Sequence, residues 1–244
     1  MTANDLFAAF ETLADAPDGV KRLRDLVLYL AMRGKLVPQD PTEKRVAPST
    51  SPPRAGEAPF DLPEAWRWLR LPEVADYAVG KTPATKEPRF WGAREIPWVS
   101  IGDMPDGGVV ATTTRTVSAA AANEVFRRPP AKAGTMLMSF KLTIGKMAVL
   151  GVDAYHNEAT ISITPNPRAT RDYLLRVLPM MALGGESKDA IMGATLNGQS
   201  LARILIPLPP LAEQHRIVAR VDELMGLLDR LEAARTARDD VRRA

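Results

Sequence analysis

The residue types that most often carry covalent or metal chemistry are scarce in this chain. It has no cysteine, which removes disulfides, thiol nucleophiles and cysteine-ligated zinc or iron–sulfur clusters. Its two histidines stand apart. His156 precedes Asn157 and Glu158 without a third ligand or a nucleophile, and His215 sits between Gln214 and Arg216 in a stretch that reads as exposed helix. Glu186-Ser187-Lys188, with Asp172 upstream, offers the carboxylates and lysine of a metal-dependent nuclease. That chemistry needs a strand to carry Glu and Lys into a pocket, whereas GGESKDAIMG reads as loop and helix start. No glycine-rich loop ends in Lys-Ser/Thr, and no G-x-G-x-x-G opens a helix. The sequence is that of a reader or a scaffold: no catalytic residue, no metal site and no cofactor are expected.

Its cations are more informative. Net charge is only +3, but the positive residues are segregated. The stretch from Arg127 to Val152 holds Arg127, Arg128, Lys132, Lys141 and Lys146 and no acid. A second stretch holds Lys81, Lys86, Arg89 and Arg94 against Glu87 alone. Cations gathered in loop-rich segments are the footprint of a phosphate-contacting face. Within SFKLTIGK, Ser139, Lys141, Thr143 and Lys146 supply hydroxyls and cations suited to phosphate oxygens. Within VGKTPATKEPRFW, Lys81, Thr82, Thr85, Lys86 and Arg89 occupy a Gly/Pro loop able to approach a groove. Asn157, Asn197 and Gln199 carry side-chain amides, which can read adenine bidentately. Loop amides also commonly satisfy their own backbone, and Trp91 and Trp98 read as core.

These residues need a frame. Val20, Leu23, Val27 and Leu30 form a helical seam, and Gly34 stands where a helix-terminating glycine belongs, so a helix is expected over 20–33, with a shorter one over 5–14. Residues 38–59 hold six prolines and little to bury, which predicts an extended, poorly ordered linker. The runs at 66–71, 96–101, 112–117, 134–140, 145–151 and 159–165 read as short strands. Ser118 can cap a helix through AAAANEVF, a helix over 171–183 is limited by Pro179, and RILIPLPP reads as a last, edge-type strand. The expected fold is mixed α/β (α+β): many short strands with small helices, then a long helix of coiled-coil type.

That last helix follows Pro207–Pro210 directly. Ile217, Val221, Leu224, Leu228 and Leu231 are spaced four, three, four and three, the heptad seam of a helix that packs on another helix. From Leu211 onward seven basic and seven acidic residues balance, so this element seeks protein rather than nucleic acid. In register, the seam continues as Arg235, Arg238 and Arg242, and no Gly or Asn closes the helix. The beginning of the chain is acidic, without the layout of a secretory signal, and no apolar run approaches the ~20 residues that span a bilayer, so a cytoplasmic protein is expected.

PLPPLAEQHRIVARVDELMGLLDRLEAA closely resembles the specificity (S) subunit of type I restriction–modification enzymes. So do LRDLVLYLAMRGKLVPQDP near the start and, in order between them, LPEAWRWLRLPEVADYAVGKTP, FWGAREIPWVSIGDM, GTMLMSFKLTIGKMAVLG, NEATISITP and GATLNGQSLARILIPLPP. The resemblance implies an N-terminal conserved helical segment (1–37), a Pro-rich linker (38–59), a target-recognition domain that binds double-stranded DNA (60–208) and a conserved spacer helix (209–244). At 1.5 Å per residue such a helix is ~50 Å long, a ruler between two DNA-reading heads. The resemblance also implies a non-catalytic role beside adenine methyltransferase (M) subunits and restriction/translocase (R) subunits. The family's full chain has two recognition domains and this sequence has one, which leaves open a half-size subunit that homodimerises or the first half of a longer chain. Self-association through the C-terminal helix, antiparallel, is the expectation. A coiled-coil regulator that no longer reads DNA, and a small metal-dependent nuclease, are the alternatives.

Overall fold

The computed structural model describes residues 18–141, 143–184 and 198–243. The chain divides into two units, one of residues 1–69 with 207–244 and the other of residues 70–206. The division falls inside strands β1 (Arg67–Arg70) and β10 (Leu205–Leu208), which pair as a two-stranded sheet.

The first unit is built on two helices, α1 (Gly19–Met32) and α6 (Leu211–Arg243). Val20, Leu23, Val27 and Leu30 of α1 are buried, as are Ile217, Val221 and Leu228 of α6. The polar contacts fix an antiparallel pairing. Arg24 reaches Asp229 (2.6 Å) and Glu232 (2.9 Å), whereas Gln39 and Glu43, beyond the other end of α1, reach Glu213 and Arg216. Gly34 ends α1 with φ +64°, and a Cβ there would meet Pro63 Cγ at 2.4 Å, so only glycine fits. The α6 seam is therefore covered, over Ile217, Val221 and Leu228, by a helix of its own chain. A heptad pattern shows that a helix needs cover, not which chain supplies it. Leu224 and Leu231 are half-buried and Leu227 is exposed. Residues 38–59 hold neither helix nor strand but are tied to the unit by the Glu43–Arg216 ion pair and by Val46 N–H donating to the Ala65 carbonyl.

The proline exit and helix start carry their own polar accounting. Pro207, Pro209 and Pro210 donate no N–H, and the buried Gln214 side chain donates to the Pro209 carbonyl at 3.0 Å. Glu213, only 1% exposed, accepts from Trp66 Nε1 (2.8 Å) and Gln39 Nε2 (2.5 Å). Burial pushes its carboxyl above the usual range against those two hydrogen bonds.

In the second unit a five-stranded sheet runs β2 (Ala75–Val79), β9 (Thr160–Pro165), β6 (Met136–Ser139), β7 (Met147–Leu150), β4 (Val109–Val110). Only the β4–β7 pair is parallel. Central β6 is buried at all four positions, as a strand covered on both faces must be. Leu137 and Ala148 join Val99, Met104, Val110, Leu150 and Ala154 in one core cluster. Helix α4 (Arg171–Ala182) packs against β9. It runs past Pro179 for three residues, because the N–H that proline removes would have served only the last turn. A three-stranded sheet, β5 (Arg115–Val117), β3 (Trp91–Val99), β8 (Tyr155–His156), holds the second cluster of Phe90, Trp98, Val117, Ala121 and Tyr155. Small helices α2 (Leu71–Val74), α3 (Ala119–Glu124, capped by Ser118) and α5 (Gly198–Arg203) are the unit's other α-helices among the described residues. Strands β2, β4 and β8 were not expected from the sequence. No described helix is long and apolar enough to cross a membrane.

Candidate nucleic-acid interface

Strand pairing gathers most of the candidate residues at one end of the five-stranded sheet. Ser139 stands opposite Thr160 and Val79 opposite Ile161, so the segments leaving β2 and β6 and the turn entering β9 emerge together. Gly80 N–H donates to Thr160 O (3.2 Å) and Lys81 N–H to His156 O (2.8 Å). A Cβ on Gly80 would lie 2.1 Å from His156 O, so the backbones approach too closely there for any side chain. Lys81, Thr82, the loop 139–146 and Asn157 are thereby brought to one edge. His156 is buried and accepts or donates at Nδ1 to Thr160 Oγ1 (2.9 Å); burial holds its pKa down to about 4, so it stays neutral.

Beside that edge opens a cavity of about 730 Å³ whose rim carries Lys81, Arg127, Arg128 and Lys132, all exposed. No Asp or Glu lines it. Its floor includes Phe126 stacked on Tyr155, centroids 3.7 Å apart, with Ser162 and Thr164 of β9. Concave walls and cations of one sign concentrate a positive field. Lys81 Nζ donates to Val125 O (3.3 Å), and Lys132 is bound to Asp153 (2.7 Å), whose carboxyl it holds below the usual range. The two cation-rich stretches of sequence thus converge, through Lys81 on one side and Arg127, Arg128 and Lys132 on the other.

Individual candidates sort unevenly. Ser139 is fully buried; its hydroxyl donates to Thr143 O and accepts from Lys146 N–H at 3.1 Å, so it shapes the loop rather than meeting a ligand. Lys146 is half-buried and donates to Ile101 O at 3.2 Å. Lys141 is half-buried with Nζ 5.5 Å from the Phe140 ring, and Thr143 is exposed. Thr82 donates to Glu158, while Thr85 and Lys86 are exposed. Arg89 is exposed but pairs with Glu124 (2.7 Å). Asn157 Oδ1 accepts from Ala159 N–H (3.3 Å) and Thr160 Oγ1 (3.2 Å), spending its acceptor on its own turn. Gln199 is exposed on α5; Asn197, Glu186 and Lys188 lie outside the described residues. Trp98 is core, as expected; Trp91 is half-buried. Arg127 and Arg128 were legible only as members of a basic stretch, and the RRPP run, cations stiffened by prolines, is the signal that marks them.

The sequence family described as type I restriction modification DNA specificity domain matches residues 63–238. The chain belongs to this family. Among curated members it is 30% identical over 261 residues to the type I restriction enzyme EcoEI specificity subunit of Escherichia coli, covering 88% of this chain and 40% of that protein. To the EcoAI specificity subunit of Escherichia coli it is 28% identical over 248 residues, covering 88% and 41%. The chain thus spans about two fifths of the length of these relatives. Among solved structures, the HsdS subunit from Thermoanaerobacter tengcongensis shares the fold, with a TM-score of 0.60 at 24% identity over 95% of this chain and 52% of that one. Type I specificity subunits are thus the family in which the mixed α/β unit and long helix recur.

Proposed function

We propose that this chain is a specificity subunit, or half of one, that recognises a double-stranded DNA sequence through residues 70–206. It takes no catalytic part: adenine methyltransferase subunits dock on its helical unit and, with restriction subunits, act on the DNA it selects. The observation that carries this reading is the acid-free cavity rimmed by Lys81, Arg127, Arg128 and Lys132, which suits phosphate oxygens. Family membership supports it, since the relatives above are named as type I restriction enzyme specificity subunits. Fluorescence anisotropy with labelled duplex, for the chain alone and with the methyltransferase subunit of the same genome, tests it. Arg127→Gln with Arg128→Gln should flatten the plot of log K against log salt by about 0.9 for each phosphate that is no longer neutralised. A slope unchanged by that pair, or no salt-dependent binding by the wild type, would sink the reading and leave a coiled-coil interaction module. A homodimer through α6 is a finer proposal, and it rests on the exposed Leu227 and half-buried Leu224 and Leu231 alone.

A further inference from the structure

Arg115 is the one guanidinium of residues 70–206 placed over an indole ring among the described residues. Its Cζ lies 3.4 Å from the centroid of Trp91 and 5.6 Å from that of Trp98, and the two indoles meet edge to face at 5.1 Å. The residue is exposed, and among the described residues no carboxylate pairs with it. Its neighbours in the unit are used differently: Arg89 pairs with Glu124, Lys132 with Asp153, and Lys146 and Lys81 donate to carbonyls. Both indoles are pinned to the segment that leaves β2, Trp98 Nε1 donating to Lys81 O and Trp91 Nε1 to Ala84 O, each at 3.0 Å. The stacked guanidinium is therefore held beside the segment bearing Lys81, Thr85 and Lys86. It also stands on β5, one of the two edge strands of its sheet, among Thr112, Thr113, Thr114 and Thr116.

We infer that Arg115 is a base-reading residue, donating its two-pronged N–H edge to O6 and N7 of a guanine in the major groove. This rests on the DNA-reading function proposed above and assigns one position of its specificity. A phosphate contact needs only charge, which a mobile lysine supplies; a base contact needs a planar fork at a fixed angle. Contact with the Trp91 ring restricts the side chain's rotational freedom in advance while the residue stays exposed. Beside it Thr113 and Thr114 donate their hydroxyls to Arg115 O and Asp103 Oδ1, so it is their methyl groups that are suited to neighbouring bases.

The test is selection of the full chain on a randomised duplex pool, followed by sequencing of the bound fraction, for wild type, Arg115→Ala and Arg115→Lys. Thermal melts confirm that these surface variants are folded. The wild type should enrich a motif containing a G·C pair that both variants lose, with discrimination there falling roughly ten- to hundredfold. Arg115→Lys should keep the wild-type salt slope, because charge is conserved while the fork is lost. If both variants enrich the wild-type motif, Arg115 does not read a base and the proposed function stands without it. A flattened slope with an intact motif overturns the inference too, by making Arg115 a phosphate contact. A wild type that enriches no motif overturns both the inference and the reading it rests on.

Discussion

The two units differ in how far their charges are paired within the chain. In the helical unit, charged and polar groups find partners within the chain: Arg24 with Asp229 and Glu232, Arg216 with Glu43, and Glu213 with Trp66 and Gln39. In the recognition unit, Arg127 and Arg128 stand exposed on the rim of a cavity without one acidic lining residue. Charges paired within the chain fix register and orientation; cations gathered in a concavity that no acid lines concentrate a positive field there. The same side-chain chemistry serves architecture in one unit and, in the function proposed above, recognition in the other.

The sharpest way to break the comparison is to charge the α1–α6 seam. Val221→Asp with Leu228→Asp places two carboxylates where both side chains are buried by the chain's own α1, and should cost about 4 kcal/mol or more. Far-UV circular dichroism during urea titration should show loss of the helical unit. A stable but newly monomeric protein in sedimentation analysis would return the seam to a second chain.

The recognition unit offers a pH test of comparable size. His156 has a pKa of about 4 when folded against an ordinary value of 6.5, so between those values the unfolded chain binds more protons. Stability contributed by the neutral ring is complete above pH 6.5 and declines as pH falls toward 4, by about 3 kcal/mol in all. Urea melts across that window should show the slope for wild type and a flatter one for His156→Gln. Equal slopes would mean the ring is not held neutral by burial.

A smaller effect belongs to the start of α6. Glu213→Ala leaves the Trp66 Nε1–H and the Gln39 amide without their acceptor and should cost about 1–3 kcal/mol. Glu213→Gln keeps one acceptor oxygen for the two donors and removes a buried charge, so it should cost less than Glu213→Ala in the same melts. Smallest is Arg24→Ala. Its partners Asp229 and Glu232 are 68% and 57% exposed, so the loss should be about 1 kcal/mol or less and should vanish at high salt.

Long periodic elements were legible because a single face decides them. The α1 seam and Gly34 located a helix that the structure ends two residues before that glycine, and the α6 heptads located the other. Strands β2, β4 and β8 escaped because pairing makes them: β8 is two residues, Tyr155 and His156, held beside Trp98 and Val99 of β3. The candidate site was half legible. Charge segregation marked two stretches that the fold brings together, but it could not say which members turn inward. Ser139 and Asn157 have the right groups for nucleic acid, yet their oxygens go to their own loops. Arg115 carried no signal beyond a lone cation among threonines, because its tryptophan platform is assembled by the fold.

Amide hydrogen exchange of the full chain, with and without a duplex carrying the selected motif, tests the division of labour most directly. Protection should rise at residues 80–90, 126–132, 139–146 and 156–160 and stay unchanged along 211–243. Protection confined to the long helix, with the cavity rim unaffected, would contradict the account.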